Sequence, residues 1–166
     1  MTSRTPKATR FAARLGAMAL AAAVLLLTGC ASLLPRSQAM KGTGLSPKQE
    51  FELGRTYEAD GEYDAALRWY GYAAANLPEE PDPQVAMGNV YMQQQRYPEA
   101  EAAYRRALAI DPDRAPALNN LAWLLHSTGG DAREAERLAR RATSLAPDNP
   151  AYADTLHQIL AAPSVP

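Results

Sequence analysis

Beyond residue 45 the apolar side chains fall at helical intervals. Phe51, Leu53 and Tyr57 alternate with polar residues along one segment, and Tyr63, Ala66, Leu67, Tyr70, Ala73 and Ala74 form a wide apolar stripe on the next. The pattern then returns. Leu53-Gly54-x-x-Tyr57 recurs as Met87-Gly88-x-x-Tyr91 after 34 residues and as Leu121-Ala122-x-x-Leu125 after 34 more. Downstream, Ala66, Tyr70, Ala73 and Pro78 recur as Ala100, Tyr104, Ala107 and Pro112, and 35 residues later as Ala135, Ala139, Ala142 and Pro147. The one extra residue is expected in the turn Ser127-Thr128-Gly129-Gly130, where an insertion costs little loop entropy.

Helix starts are marked as well. Ser46-Pro47-Lys48-Gln49 combines an N-cap serine, a proline at the first helical position and a capping-box glutamine. Asp82-Pro83 and Asn149-Pro150 repeat the cap-then-proline pattern, and Asp131-x-x-Glu134 reads as another capping box. No segment alternates with the period of a strand. Two amphipathic helices per repeat, and an all-α chain, are the expectation.

Seven columns agreeing at one period resemble the tetratricopeptide (TPR) repeat, over 47–80, 81–114 and 115–149. The resemblance implies an α-solenoid of three TPR helix pairs within 46–150, curving around a concave groove lined by the first helix of each pair. Small residues (Gly54, Gly88, Ala66, Ala100) stand where two helices approach closely, and the tyrosines fill the space they leave. The third copy departs from this, with Ala122, Leu125 and Ala139 in place of the glycine and both tyrosines. After Pro150, Tyr152, Leu156, Ile159 and Leu160 share one face of a helix over 151–162, with Asp154, Thr155 and Gln158 opposite. Such a helix would cap the open end of the array; 163–166 reads as a disordered tail.

The segment before the repeats has a different character. Arg4, Lys7, Arg10 and Arg14 are its only charges ahead of Cys30, and Leu15 to Leu27 carries no polar side chain. Thirteen residues fall short of the ~20 that span a bilayer. A basic start followed by a short apolar run is the layout of a secretory signal, here 1–29. Leu27-Thr28-Gly29-Cys30 directly after it resembles the lipobox of bacterial lipoproteins. The resemblance implies that Cys30 becomes the first residue of the mature chain, with a diacylglycerol on its thiol and a further acyl chain on its amino group. Two or more chains anchor stably where one is marginal. Ala31 at the next position points, by the same resemblance, to the periplasmic side of the outer membrane. Residues 30–45, with Pro35, Gly42 and Gly44, then read as a lipidated tether spanning roughly 20 Å.

Composition narrows the chemistry. The whole chain is near neutral, but the first thirty residues carry +4 and the remainder, with 13 basic and 18 acidic residues, carries −5. An acidic body gives no reason to expect nucleic acid as a partner. One cysteine excludes an internal disulfide and a multi-cysteine metal site. His126 and His157 are the only histidines and lie on different helices. Ser127 beside His126 has no ordering carboxylate, and no glycine-rich phosphate loop is present. No enzyme activity, cofactor or metal is expected.

Binding is the remaining class. Residues off the core stripe of each first helix should face the groove: Phe51, Arg55 and Glu58; Val85, Asn89 and Met92; Asn119, Trp123 and His126. Each trio follows i, i+4, i+7. Phe51, Val85, Met92 and Trp123 are the apolar anchors, and Asn89 and Asn119 can hydrogen-bond an extended backbone or a helix of a protein partner. Trp123 is the expected hot spot. TPR domains that clamp a terminal carboxylate use Lys, Arg and Asn at columns that here hold Phe51, Arg55, Ala86, Pro116 and Asn120, which leaves too few donors. Arg133, Arg137, Arg140 and Arg141 form a basic stripe on the last repeat, expected to be a solvated outer face.

The layout is similar to that of small TPR lipoproteins that assist envelope machines, including type IV and tight-adherence pilus systems with a secretin ring. A lipid-anchored adaptor for a protein partner is the leading expectation. An adaptor for cell-wall enzymes and a self-associating structural lipoprotein are the alternatives.

Overall fold

The structure, a computed structural model, describes residues 44–161. Cys30, the signal segment, most of the tether and the last residues, 162–166, lie outside the described residues. Seven helices follow one another: α1 Pro47–Ala59, α2 Tyr63–Asn76, α3 Asp82–Gln93, α4 Tyr97–Ile110, α5 Ala115–Thr128, α6 Ala132–Leu145 and α7 Pro150–Ala161. No strand occurs among the described residues. Each odd helix packs on the even helix after it, and each pair packs on the next, with α7 lying against both α6 and α5. Over the described residues the chain is an all-α solenoid of three helix pairs closed by a terminal helix.

The small-residue columns work by close approach. A Cβ placed on Gly88 would lie 2.4 Å from the ring of Tyr104, and one on Gly54 would lie 2.6 Å from Tyr70. Both rings are fully buried. Only glycine admits them. In the third pair Ala122 and Ala139 occupy these columns, equally buried, and Leu121, Leu124, Leu125 and Leu138 fill the volume around them.

The turns inside the pairs repeat to the residue. Gly61, Gln95 and Gly129, spaced 34 apart, all adopt left-handed backbone, with φ of 76°, 59° and 72°. After each, one amide closes a Schellman bond to the helix behind it: Glu62 N to Tyr57 O, Arg96 N to Tyr91 O, Gly130 N to Leu125 O. The register therefore holds through Gly129. Ser127 and Thr128 belong to α5, and the extra residue enters after Gly130. Its consequence is local. Glu62 and Arg96 must close one helix and begin the next, and neither caps with its side chain. In the third repeat Gly130 closes α5, and Asp131 is free to accept from Arg133 N and Glu134 N.

The start signals divide. Ser46 and Gln49 form the full capping box, with Gln49 N donating to Ser46 Oγ at 3.3 Å and Ser46 N donating to Gln49 Oε1 at 2.9 Å. Asn149 Oδ1 accepts from Ala151 N at 3.1 Å. Asp82 is not an N-cap. Pro81 holds that position, and Asp82, inside the first turn, pairs instead with Arg114, the residue just before α5. Only half of the Asp131–Glu134 box forms, because the Glu134 carboxylate is drawn to Arg105 of α4 at 2.8 Å.

On α7 the buried face is Tyr152, Thr155, Leu156 and Ile159. Leu160, expected on it, is 49% exposed, and Thr155, expected opposite, is buried at 8%. Thr155 loses nothing there, since its hydroxyl donates to Ala151 O. The arginine stripe of α6 is largely neutralised: Arg140 pairs with Glu136, Arg137 approaches Glu134, and Arg141 grips Asp113 of the preceding turn through both carboxylate oxygens.

Candidate functional site

A cleft of about 580 Å³ runs across the array. Glu58 enters it from α1, Asn89, Met92 and Gln93 from α3, Tyr104 from α4, and Asn119, Asn120 and Trp123 from α5. Ala151, Asp154, Thr155 and Gln158 of α7 form the far wall. The capping helix is thus part of the site as well as the end of the core.

Hydrogen bonds fix the cleft floor. The Tyr104 hydroxyl donates to Asn89 Oδ1 at 2.8 Å, and Asn120 Nδ2 donates to the same oxygen at 2.8 Å. Asn119 Nδ2 donates to Asn120 Oδ1 at 3.2 Å. Three asparagines from two repeats form one chain, and Asn119 Oδ1, buried, is left without a donor. At the α1 end the Tyr70 hydroxyl donates to Glu58 Oε2 at 2.6 Å and Gln93 Nε2 donates to Glu58 Oε1 at 2.9 Å. Burial pushes the Tyr70 phenol far above its usual range, and the Glu58 carboxylate adds to the rise. Burial does the same at Tyr104, partly offset by its contact with Asn120. Both hydroxyls stay protonated at any physiological pH and act as fixed donors.

Of the nine groove residues expected from the sequence, Glu58, Asn89, Met92, Asn119 and Trp123 line this cleft. Four do not. Val85 is a correction: it is 8% exposed and belongs to the core between repeats. Phe51 is half-buried against the Tyr70 ring, with centroids 5.4 Å apart. Arg55 is exposed and pairs with Glu52 on its own helix. His126 stacks beside Trp123 at 5.7 Å but is not in the lining. Trp123 is 36% exposed, more open than the other large side chains with apolar surface in the lining, Met92 and Tyr104. The α7 residues are expected only as part of a capping helix, because no periodicity on α1, α3 or α5 encodes which helix returns across their face, and Gln93 lies one residue past the expected Asn89–Met92 line. Tyr104 and Asn120 were visible only as a core column and a clamp column.

The described lining holds carboxylates, amides, a thioether and an indole, and no histidine, cysteine, lysine or arginine. It can accept hydrogen bonds and bury apolar surface. Among the described residues no group of three His, Cys, Asp or Glu side chains is placed to hold a metal, and no helix is long and apolar enough to cross a membrane.

Two tetratricopeptide-repeat models match the chain, over residues 51–82 and 81–148, together more than half of it. Among curated proteins, the protein O-mannosyl-transferase TMTC2 of Homo sapiens is 36% identical over 100 residues, covering 58% of this chain and 12% of that protein. Its Mus musculus counterpart is 35% identical over 82 residues, 48% of this chain and 10% of that protein. The chain thus spans only a small part of the curated relatives it matches. Among solved structures, the first TPR of Spaghetti (RPAP3) bound to the HSP90 peptide SRMEEVD superposes with a TM-score of 0.64 at 20% identity, over 72% of this chain and 96% of that one. The second TPR domain of human RPAP3, in complex with the HSP70 peptide SGPTIEEVD, gives 0.62 at 20% identity, over 70% and 100%. The Arabidopsis OM64 TPR domain gives 0.64 at 17% identity, over 69% and 93%. At these identities the likeness is one of fold.

Proposed function

Since this chain belongs to the tetratricopeptide-repeat family, whose repeats are generally non-catalytic protein-interaction modules, we propose that it is an adaptor holding a protein partner in the α1–α3–α5–α7 cleft. The observation that carries this reading is the continuous cleft itself, with Trp123 open on one side and an asparagine chain along its floor. The peptide complexes of the structural neighbours support the class of ligand. They do not transfer the ligand: those peptides are acidic, and the clamp columns here offer Phe51, Arg55, Ala86, Pro116 and Asn120, of which only Asn120 lines the cleft.

The finer reading is a lipid-anchored adaptor on the periplasmic side of a bacterial outer membrane, serving an envelope machine such as a pilus or secretin assembly. Its support is the basic start, the apolar run and Leu27-Thr28-Gly29-Cys30. A Cys30→Ser chain should lose detergent-phase partitioning; unchanged partitioning overturns the anchor. For the cleft, a photoreactive residue at Trp123 and a control at Arg137 on the outer face separate the surfaces in cells. A product from Trp123 alone supports the adaptor, and a product from Arg137 alone overturns it. A second reading, self-association, is favoured by Leu160, which stands exposed on the terminal helix; mass that rises with concentration in light scattering would select it.

A further inference from the structure

The cleft is one-sided in charge. Glu58 and Asp154 face it from opposite walls, and no cationic side chain lines it among the described residues. Glu58 is held by Tyr70 and Gln93, one donor to each oxygen. Asp154 is exposed, and its carboxylate makes no hydrogen bond or ion pair with any described residue. Between them stands an acceptor with nothing to accept: Asn119 is 8% exposed, its amide nitrogen is committed to Asn120, and its Oδ1 is buried and unpaired. A buried acceptor without a donor carries an uncompensated desolvation cost, which a ligand N–H removes. Beside it Trp123 offers an exposed indole face, which attracts a cation by its quadrupole and an alkyl stem by contact.

We infer that the occupant of this cleft is a peptide segment bearing lysine or arginine. Its positive charge is offset by Glu58 and Asp154, an N–H satisfies Asn119 Oδ1, and its aliphatic stem lies along Trp123 and Met92. An acidic segment brings carboxylate against carboxylate, so the charge pattern excludes wrong partners as well as favouring the right one. The inference rests on the adaptor reading above and adds the chemistry of the partner to it.

The test uses the full chain in non-ionic detergent and three fluorescein-labelled peptides of equal length and identical apolar residues. They differ only in carrying lysine, glutamine or glutamate at the remaining positions, and binding is read by anisotropy. The lysine peptide should bind about tenfold more tightly than the glutamine peptide, with the glutamate peptide weakest and the preference shrinking as salt rises. Asp154→Asn, which removes no contact within the fold, should reduce that preference, and Glu58→Gln with Asp154→Asn should abolish it. Equal binding of all three, or preference for glutamate, overturns the charge inference and leaves the adaptor standing. Binding of none by a chain whose circular dichroism shows intact helices overturns both.

Discussion

The first two repeats and the third solve the same packing problem differently. In the first two, a glycine on the first helix receives a tyrosine from the second, and the tyrosine runs through the core to end in a hydroxyl at the cleft, on Glu58 in one case and Asn89 in the other. In the third, alanine stands in both columns and leucines fill the core, so no hydroxyl emerges. That is also where the cleft has its buried, unpaired acceptor, on Asn119. A column that reads as packing therefore also sets the polarity of the cleft, because the tyrosine serves both.

Removing the tyrosine is the harshest way to break this comparison. Tyr104→Ala should cost about 3–5 kcal/mol in urea unfolding, as for other buried aromatics, while leaving Asn120 as the donor to Asn89 Oδ1. The paired substitution is more telling. Gly88→Ala alone should cost about 2 kcal/mol by overpacking against the ring. In a Tyr104→Ala background the same change should stabilise by about 0.5–1 kcal/mol, because alanine is the better helix former once the ring is gone. A double-mutant cycle with no coupling would show that the two residues do not meet. The alanine pair of the third repeat would then need another explanation.

These columns explain how much of the molecule the sequence makes legible. Gly54, Gly88, Tyr70 and Tyr104 recur at one spacing, and steric necessity turns that spacing directly into helix pairs. The site is less legible for two reasons. Extending one i, i+4, i+7 line along every first helix assumes that each helix shows the same face, whereas the packing of successive pairs changes it. At α3 the line that reaches the cleft is Asn89, Met92 and Gln93, with Val85 turned into the core. The second reason is α7. Its register against α5 and α6 depends on Thr155, a polar residue that goes inward because its hydroxyl is satisfied within its own helix, while Leu160 goes outward. A rule that sends apolar side chains in and polar ones out misplaces both.

The turns sharpen the comparison at a smaller scale. Gln95 holds the left-handed position that glycine holds in the other two repeats. A side chain there is strained by roughly 1–2 kcal/mol, less whatever entropy glycine returns to the unfolded chain. Gln95→Gly should therefore raise stability by about 1 kcal/mol, and Gly129→Gln should lower it by a similar amount. Thermal unfolding of the two variants side by side checks the sign, which is opposite for opposite substitutions at equivalent columns.

The weakest expected effect lies between repeats. The first and second are joined by amide–carboxylate contacts, Gln93 to Glu58 and Gln94 to Asp64. The second and third are joined by ion pairs, Arg105 with Glu134 and Arg141 with Asp113. The hydrogen bonds from Arg105 hold the Glu134 carboxyl below its ordinary range, outweighing its partial burial. A depressed carboxylate contributes stability that is fully present above the unfolded value, near 4.3, and is lost as pH falls through the folded one. With side chains 46% and 22% exposed, screening limits the pair to about 0.5 kcal/mol. Because a solenoid is held by nearest-neighbour interfaces, that loss should be local. Hydrogen exchange compared between pH 6 and pH 3.5, after correction for intrinsic rates, should show α5 and α6 losing more protection than α1 and α2. Arg105→Gln should erase the difference, and equal loss in both regions would mean that Glu134 does not distinguish the two interfaces.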